Sequence, residues 1–299
     1  MLHPTNDYHV KNGNFKDLAR ALTRVENELL GSKEILFNLD RNSDSIVLGV
    51  TGPPGEGKST LVNSIINQLT LENKFIAVLA IDPTSPFNLG ALLGDRIRMA
   101  EQFNKPNVFI RSLATRGSLG GLSAKTIEMV DVLKSFGFDY IIVETVGVGQ
   151  SEVEIVGLAD ITLVVLVPES GDEIQSIKSG LMEIADIFVV NKADREGADI
   201  FFHTLEKLVH LKTGHIQVLK TIAHKSEGIT DLLDAIKKHE KSENKQKPFL
   251  LAEKAWKLIQ QQRMTFVDKR TLQQDIAKVC NNKSFNLYKF VEEYEKRNS

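Results

Sequence analysis

The sequence predicts an α/β protein built on a doubly wound, mostly parallel sheet, with a helical extension before it and a helical arm after it. Three observations predict this. Seven short runs rich in aliphatic and β-branched residues alternate with helically spaced patterns. The runs are apolar at successive positions rather than every second one, as strands buried on both faces must be. A glycine-rich turn, Gly52 to Ser59, separates the first run from an apolar helix.

Taken in order, Phe15, Leu18, Leu22, Val25 and Leu29 recur at helical spacing and predict one amphipathic helix. The polar break Asp40-Arg41-Asn42-Ser43-Asp44 closes this extension, residues 1–44. The sheet domain, 45–240, holds the runs Ile46 to Val50, Phe75 to Ile81, Asn107 to Arg111, Tyr140 to Val143, Ile161 to Val167, Ile187 to Val190 and Gln217 to Leu219. A charged stretch from Lys237 to Lys247 leads into the arm, 241–299, where Trp256, Leu258, Ile259, Phe285 and Phe290 mark short helices. That arm is expected either to form a dimer seam or to pack against the sheet domain.

Composition narrows the function. The 299 residues carry 37 Lys and Arg against 39 Asp and Glu, a formal charge of -2, so no electrostatic case exists for bulk nucleic-acid or anionic-membrane binding. The single cysteine, Cys280, excludes an internal disulfide and a thiolate-pair metal site. The longest apolar stretch, Ile161 to Val167, is far short of the roughly 18 residues a membrane span needs. The polar opening lacks the apolar centre of a signal peptide, and the expectation is a cytoplasmic protein. The seven histidines are scattered; His203 and His210, two helical turns apart, read as an exposed helix face.

Gly52-Pro53-Pro54-Gly55-Glu56-Gly57-Lys58-Ser59 fits the phosphate-loop pattern, in the strand–turn–helix setting that the pattern requires. Glycines let the backbone wrap phosphates, and the N–H groups face them at the positive end of a helix. Pro53 and Pro54 lack an N–H, so Gly55, Glu56, Gly57, Lys58, Ser59 and Thr60 must donate. Lys58 is expected to neutralise the β- and γ-phosphates, and Ser59 to offer its hydroxyl to Mg²⁺. The ligand is a nucleoside triphosphate.

Asn191-Lys192-Ala193-Asp194 stands at the carboxyl end of a strand, where open α/β sheets bind ligands. The Asp194 carboxylate can accept from guanine N1–H and the exocyclic amine together, whereas adenine presents a lone pair at that place. Asn191 is expected to hold the loop and the Lys192 stem to cover the base. GTP and GDP are favoured over adenine nucleotides.

Glu144-Thr145-Val146-Gly147 follows a buried strand, where a nucleotide-sensing carboxylate belongs. Glu144 could hold Mg²⁺ through water or polarise the attacking water, and the Gly147 N–H could reach the γ-phosphate. Val148 follows that glycine where Ras-like enzymes place a water-orienting glutamine, and Gln150 comes two positions later. Slow unassisted hydrolysis is therefore expected. Asp82 ends the second run near the phosphates, and Asp95 follows in Leu93-Gly94-Asp95-Arg96.

Together these residues resemble the MeaB/ArgK family of P-loop GTPases, from Leu18 to about Asp194. Besides the phosphate loop, the likeness rests on Asp82-Pro83-Thr84-Ser85, Leu92 to Met99, Arg116 to Gly121, Glu144 to Glu152, and Gly171-Asp172-Glu173-Ile174-Gln175. The chain departs from the family at Asn88-Leu89-Gly90, where a Gly-Gly pair is usual. Thr221-Ile222-Ala223 matches the base-supporting loop only loosely, and of it Ala223 is carried over to the nucleotide.

The resemblance implies a homodimeric GTPase that escorts an adenosylcobalamin-dependent acyl-CoA mutase, gating cofactor loading and protecting the mutase. It implies Mg²⁺ and catalytic positions at Ser59, Asp82, Asp95 and Glu144, with Lys58 among the catalytic residues. It implies a partner-sensing switch at Gly171, Asp172, Glu173 and Gln175, and dimerisation through the helical arm. The alternatives are a GTPase inserting another metal, and a kinase of a transport protein, an older label for the family. The first lacks a clustered thiol and imidazole ligand set; the second lacks an evident acceptor site.

Overall fold

The six residues of β1 (Ile46–Thr51) are all buried, because this strand sits at the centre of the sheet. The computed structural model describes residues 15–40, 43–82, 99–114, 124–145, 155–169, 181–212 and 216–239, and beyond 250 chiefly 267–280 and 285–298. The chain divides into two units, Met1–Leu250 and Leu251–Ser299.

In the first unit the remaining strands are β2 (Ile76–Asp82), β3 (Val108–Ala114), β4 (Tyr140–Glu144), β5 (Ile161–Leu166), β6 (Ile187–Val190) and β7 (Gln217–Lys220). Their order across the sheet is β3-β2-β4-β1-β5-β6-β7, and every one of the six pairings is parallel. The sequence predicts a mostly parallel sheet; the structure makes it parallel throughout.

The helices cover both faces, which is why the strands are apolar at successive positions. On one face lie α3 (Lys58–Leu71) and α6 (Ile229–His239), whose Leu61, Val62, Ile65, Leu232 and Ile236 meet Ile46, Leu48 and Val50. On the other lie α1 (Phe15–Glu26) and α4 (Ala124–Ser135), with Leu18, Leu22, Val25, Val130 and Leu133 against Val47 and Ile141. Each buried aliphatic side chain contributes about 1.5–3 kcal/mol. Helix α5 (Ala198–Lys212) covers β5 and β6 through Phe201, Leu205 and Val209.

The first helix ends earlier than its apolar stripe suggests. Leu29 N–H bonds the Arg24 carbonyl at 2.9 Å and Glu28 N–H bonds that of Val25 at 3.3 Å, a Schellman stop with Glu28 left-handed at φ 51°. Leu29 is turned to solvent, 49% exposed, and a second helix, α2 (Ser32–Phe37), begins after Gly31.

In the second unit, α7 (Lys269–Val279) and α8 (Leu287–Asn298) are described, and Phe290 packs between Phe285 and Tyr294 with ring centroids 6.1 and 6.0 Å away. Among the described residues no helix is long and apolar enough to cross a membrane.

Candidate nucleotide site

Because all strands run one way, the segments leaving β1, β4, β5, β6 and β7 emerge at a single edge of the sheet. The phosphate loop occupies the centre of that edge. Gly52 has φ 138°, and a Cβ there would stand 2.1 Å from the Val165 carbonyl oxygen. Gly57 has φ 83°, and a Cβ would fall 2.6 Å from Asn191 Nδ2. Both positions therefore accept glycine alone, for close approach as well as for backbone conformation.

Lys58 opens α3 and is buried. Its ammonium donates to the carbonyls of Gly52 at 2.7 Å and Pro53 at 2.8 Å, and so lies across the curl of the loop. The next residue, Ser59, donates to Glu144 Oε1 at 2.6 Å, and both side chains are buried. Glu144 is brought there by register, since the last residue of β4 lies opposite Val50 of β1. One position on, Thr145 Oγ1 donates to Thr51 Oγ1 at 2.9 Å and ties the same two strand ends.

A buried hydroxyl touching a buried carboxylate is a pair of hard oxygen donors, which suits a small divalent cation such as Mg²⁺. The structure thus brings together two of the four expected metal ligands. The backbone of Asp82 ends β2, but its side chain lies outside the described residues. So do Asp95, Gly147, Gly171, Asp172, Glu173 and Gln175. Among the described residues, no three His, Cys, Asp or Glu side chains gather as a metal cluster. His203 pairs instead with Glu206 at 3.4 Å on the exposed side of α5.

The segment after β6 is tied to the phosphate loop and to the segment after β7. Asn191 Nδ2 donates to the Glu56 carbonyl at 2.9 Å, and Lys192 Nζ donates to that of Gly55 at 2.7 Å. Asn191 Oδ1 in turn accepts from Thr221 Oγ1 at 3.1 Å and from the Ala223 N–H at 3.2 Å. The loosely matching Thr221-Ile222-Ala223 run is thereby placed beside the Asn191 loop, and Ser64 of α3 holds it from behind by donating to the Ala223 carbonyl at 2.5 Å. Asp194 Oδ2 stands 3.9 Å from Lys225 Nζ and 4.0 Å from His224 Nε2. Thr60 and Gly55 are exposed, on the open side of the loop.

Sequence reasoning missed three contacts here. Thr221 was legible as the head of the loosely matching Thr221-Ile222-Ala223 run, but not as a donor to Asn191. Thr51 and Thr145 carried no spacing signal because β1 and β4 are distant in the chain. Glu169, past the end of β5, forms an ion pair with Arg195, the residue after Asp194.

Comparison with known proteins agrees with this geometry. A family model described as Methylmalonyl Co-A mutase-associated GTPase MeaB matches residues 18–282, well past Asp194. A Pyrococcus abyssi protein named as a GTPase is 48% identical over 238 residues, 77% of this chain and 74% of the relative. The mouse protein named methylmalonic aciduria type A homolog, mitochondrial, is 34% identical over 243 residues, 74% of this chain and 59% of that one. A crystal structure titled LAO/AO transport system kinase aligns with TM-score 0.68 over 99% of this chain and 98% of the other, at 24% identity, which shows the fold alone.

Proposed function

The chain is a GTPase of the MeaB family, whose description is methylmalonyl-CoA mutase-associated, and on that premise we propose that it is a GTP-driven chaperone of an adenosylcobalamin-dependent acyl-CoA mutase. In this reading it gates cofactor loading into the mutase and protects the loaded enzyme, and it works as a homodimer through residues 241–299.

Each residue has a part. The N–H groups from Gly55 to Thr60 and the Lys58 ammonium bind the phosphates. Ser59 and Glu144, with Asp82 and Asp95, would hold Mg²⁺, which when bound neutralises charge between the β- and γ-phosphates. Glu144 either anchors that ion or orients the attacking water, and the Gly147 N–H answers to the γ-phosphate. Asp194 accepts from guanine N1–H and N2–H₂, the Lys192 stem covers the base, and Ala223 supports its edge. Gly171, Asp172, Glu173 and Gln175 sense the partner.

One observation carries the reading most: the Asn191 side chain, which reaches Glu56 of the phosphate loop and Ala223 at once. It ties the segment assigned to the base and the phosphate loop to each other, which supports their serving one ligand. Calorimetry with GDP and GTP in magnesium buffer, against ATP, tests the binding; no heat with guanine nucleotides sinks it. Phosphate release should stay below the ~1–10 s⁻¹ of ordinary enzymes and rise when the mutase is added. Release that ignores the mutase removes the chaperone role and leaves the GTPase. The transport-protein kinase reading would instead require phosphate to appear on an acceptor protein.

A further inference from the structure

We propose that Glu169 is a positioning residue for base recognition: paired with Arg195, it fixes the turn that aims Asp194 at the guanine edge. The proposal rests on the reading of Asp194 given above. Glu169 belongs to no nucleotide-binding motif and lies on a different strand's exit.

The juxtaposition follows from topology. β5 and β6 are neighbours with Leu166 opposite Val190, so the segments leaving them emerge side by side. Glu169 lies three residues beyond β5, and Arg195 five beyond β6. Their side chains meet as an ion pair with a hydrogen bond, Arg195 Nη1 donating to Glu169 Oε1. The Arg195 guanidinium, helped by the charge of Lys192, holds the Glu169 carboxyl below the usual carboxylate range.

The turn needs such support. Arg195 N–H bonds the Lys192 carbonyl at 3.0 Å, closing a tight loop that carries Asp194 at its third position. Lys192 enters it at φ 53°, a left-handed conformation that a side-chain-bearing residue keeps only where its surroundings over-determine it. Asn191 and Lys192 pin the first half to the phosphate loop. The second half is held on one flank by Ala193 N–H to the Thr221 carbonyl at 3.1 Å, and on the other by Arg195 to Glu169. The carboxylate fork needs both guanine donors aligned, so releasing one flank loosens the aim before it abolishes binding.

Inosine diphosphate, which keeps N1–H and lacks the exocyclic amine, reads that aim. Calorimetric Kd values for GDP and IDP should be compared in the wild type, Arg195→Ala, Glu169→Gln and the reversed pair Glu169→Arg/Arg195→Glu. Each single substitution should cut the GDP-over-IDP preference about threefold to fivefold, the scale of a half-exposed ion pair, chiefly by weakening GDP. The reversed pair should restore it to within about twofold. An unchanged preference in both single variants overturns the proposal. So does equal weakening of both nucleotides, which would mean general loosening of the turn, and so does a reversed pair that melts like the wild type yet restores nothing. Asp194→Asn separates the two levels: if it leaves the preference intact, the base-reading assignment itself fails. If it abolishes the preference while Arg195→Ala does nothing, Glu169 alone is relieved of its role.

Discussion

The Asn191 side-chain amide donates to the Glu56 carbonyl at 2.9 Å, joining the turn after β6 to the phosphate loop across the intervening strand β5. Its oxygen simultaneously takes two donors from the Thr221–Ala223 segment. A side chain of four heavy atoms beyond Cα thus fixes three loops.

Replacing Asn191 by Ala should therefore do two things. It leaves the buried Thr221 hydroxyl and Ala223 N–H without their acceptor, costing about 1–3 kcal/mol of stability. It also frees the phosphate loop from the base site, and GDP affinity should fall by an order of magnitude or more, since 1.4 kcal/mol is tenfold. Thermal unfolding and calorimetry on the same sample check both, and a variant that binds GDP as tightly as wild type contradicts the bridging role.

The Ser59–Glu144 contact predicts a different signature. Glu144→Gln keeps the hydrogen-bonded shape and removes the charge, so GDP binding should survive while phosphate release drops on the order of 10²-fold, as for a lost charge-stabilising or water-orienting group. Single-turnover assays with GTP measure it. Release at the wild-type rate would take Glu144 out of the chemistry.

Arg111 anchors the N-terminal helix to β3. Its guanidinium donates to the Ala19 carbonyl at 3.3 Å and Thr23 Oγ1 at 3.2 Å and pairs with Glu26 at 2.5 Å, with both charged side chains under one fifth exposed. Arg111→Met should destabilise by about 2–4 kcal/mol, because the Glu26 charge loses the guanidinium in a mostly dry place. The double variant Arg111→Met/Glu26→Gln should recover part of that loss. Urea unfolding decides; additive losses would show that the pair is not coupled.

The last residue of α6 supplies a pH dependence. A hydrogen bond donated to the Asp186 carboxylate raises the His239 pKa above its ordinary 6.5, against the opposing effect of burial. A raised folded value means the stabilisation is complete below 6.5 and is lost as pH rises through the folded value. His239 is half exposed, so the gain is at most about 1 kcal/mol. The melting temperature of the wild type should fall towards that of His239→Gln between pH 6 and 8.5, and parallel curves would refute the link.

The fold was legible because burial on both faces writes an unmistakable pattern: each run from Ile46 to Leu219 became a strand with bounds shifted by at most one residue, except the third, which runs three residues further, to Ala114. The phosphate loop and the Asn191 segment were legible because their chemistry requires fixed residues at fixed spacing. The stop after α1 was not, since Glu28 takes a left-handed turn usually given to glycine. Nor was the Arg195–Glu169 pair, because an arginine and a glutamate on different loops meet only through the pairing of β5 with β6. The likeness read as far as Asp194 continues to residue 282, where helical spacing alone had little to distinguish it.

The order β3-β2-β4-β1-β5-β6-β7 also sets a timetable for the nascent chain. β1 is made first, yet its two neighbours are β4 and β5, so a fully buried central strand waits through synthesis of everything up to Tyr140 before it can pair. A sheet with no hairpin among its described residues to nucleate it closes late, and ribosome-bound or truncated chains ending before β4 should be the forms most prone to aggregate.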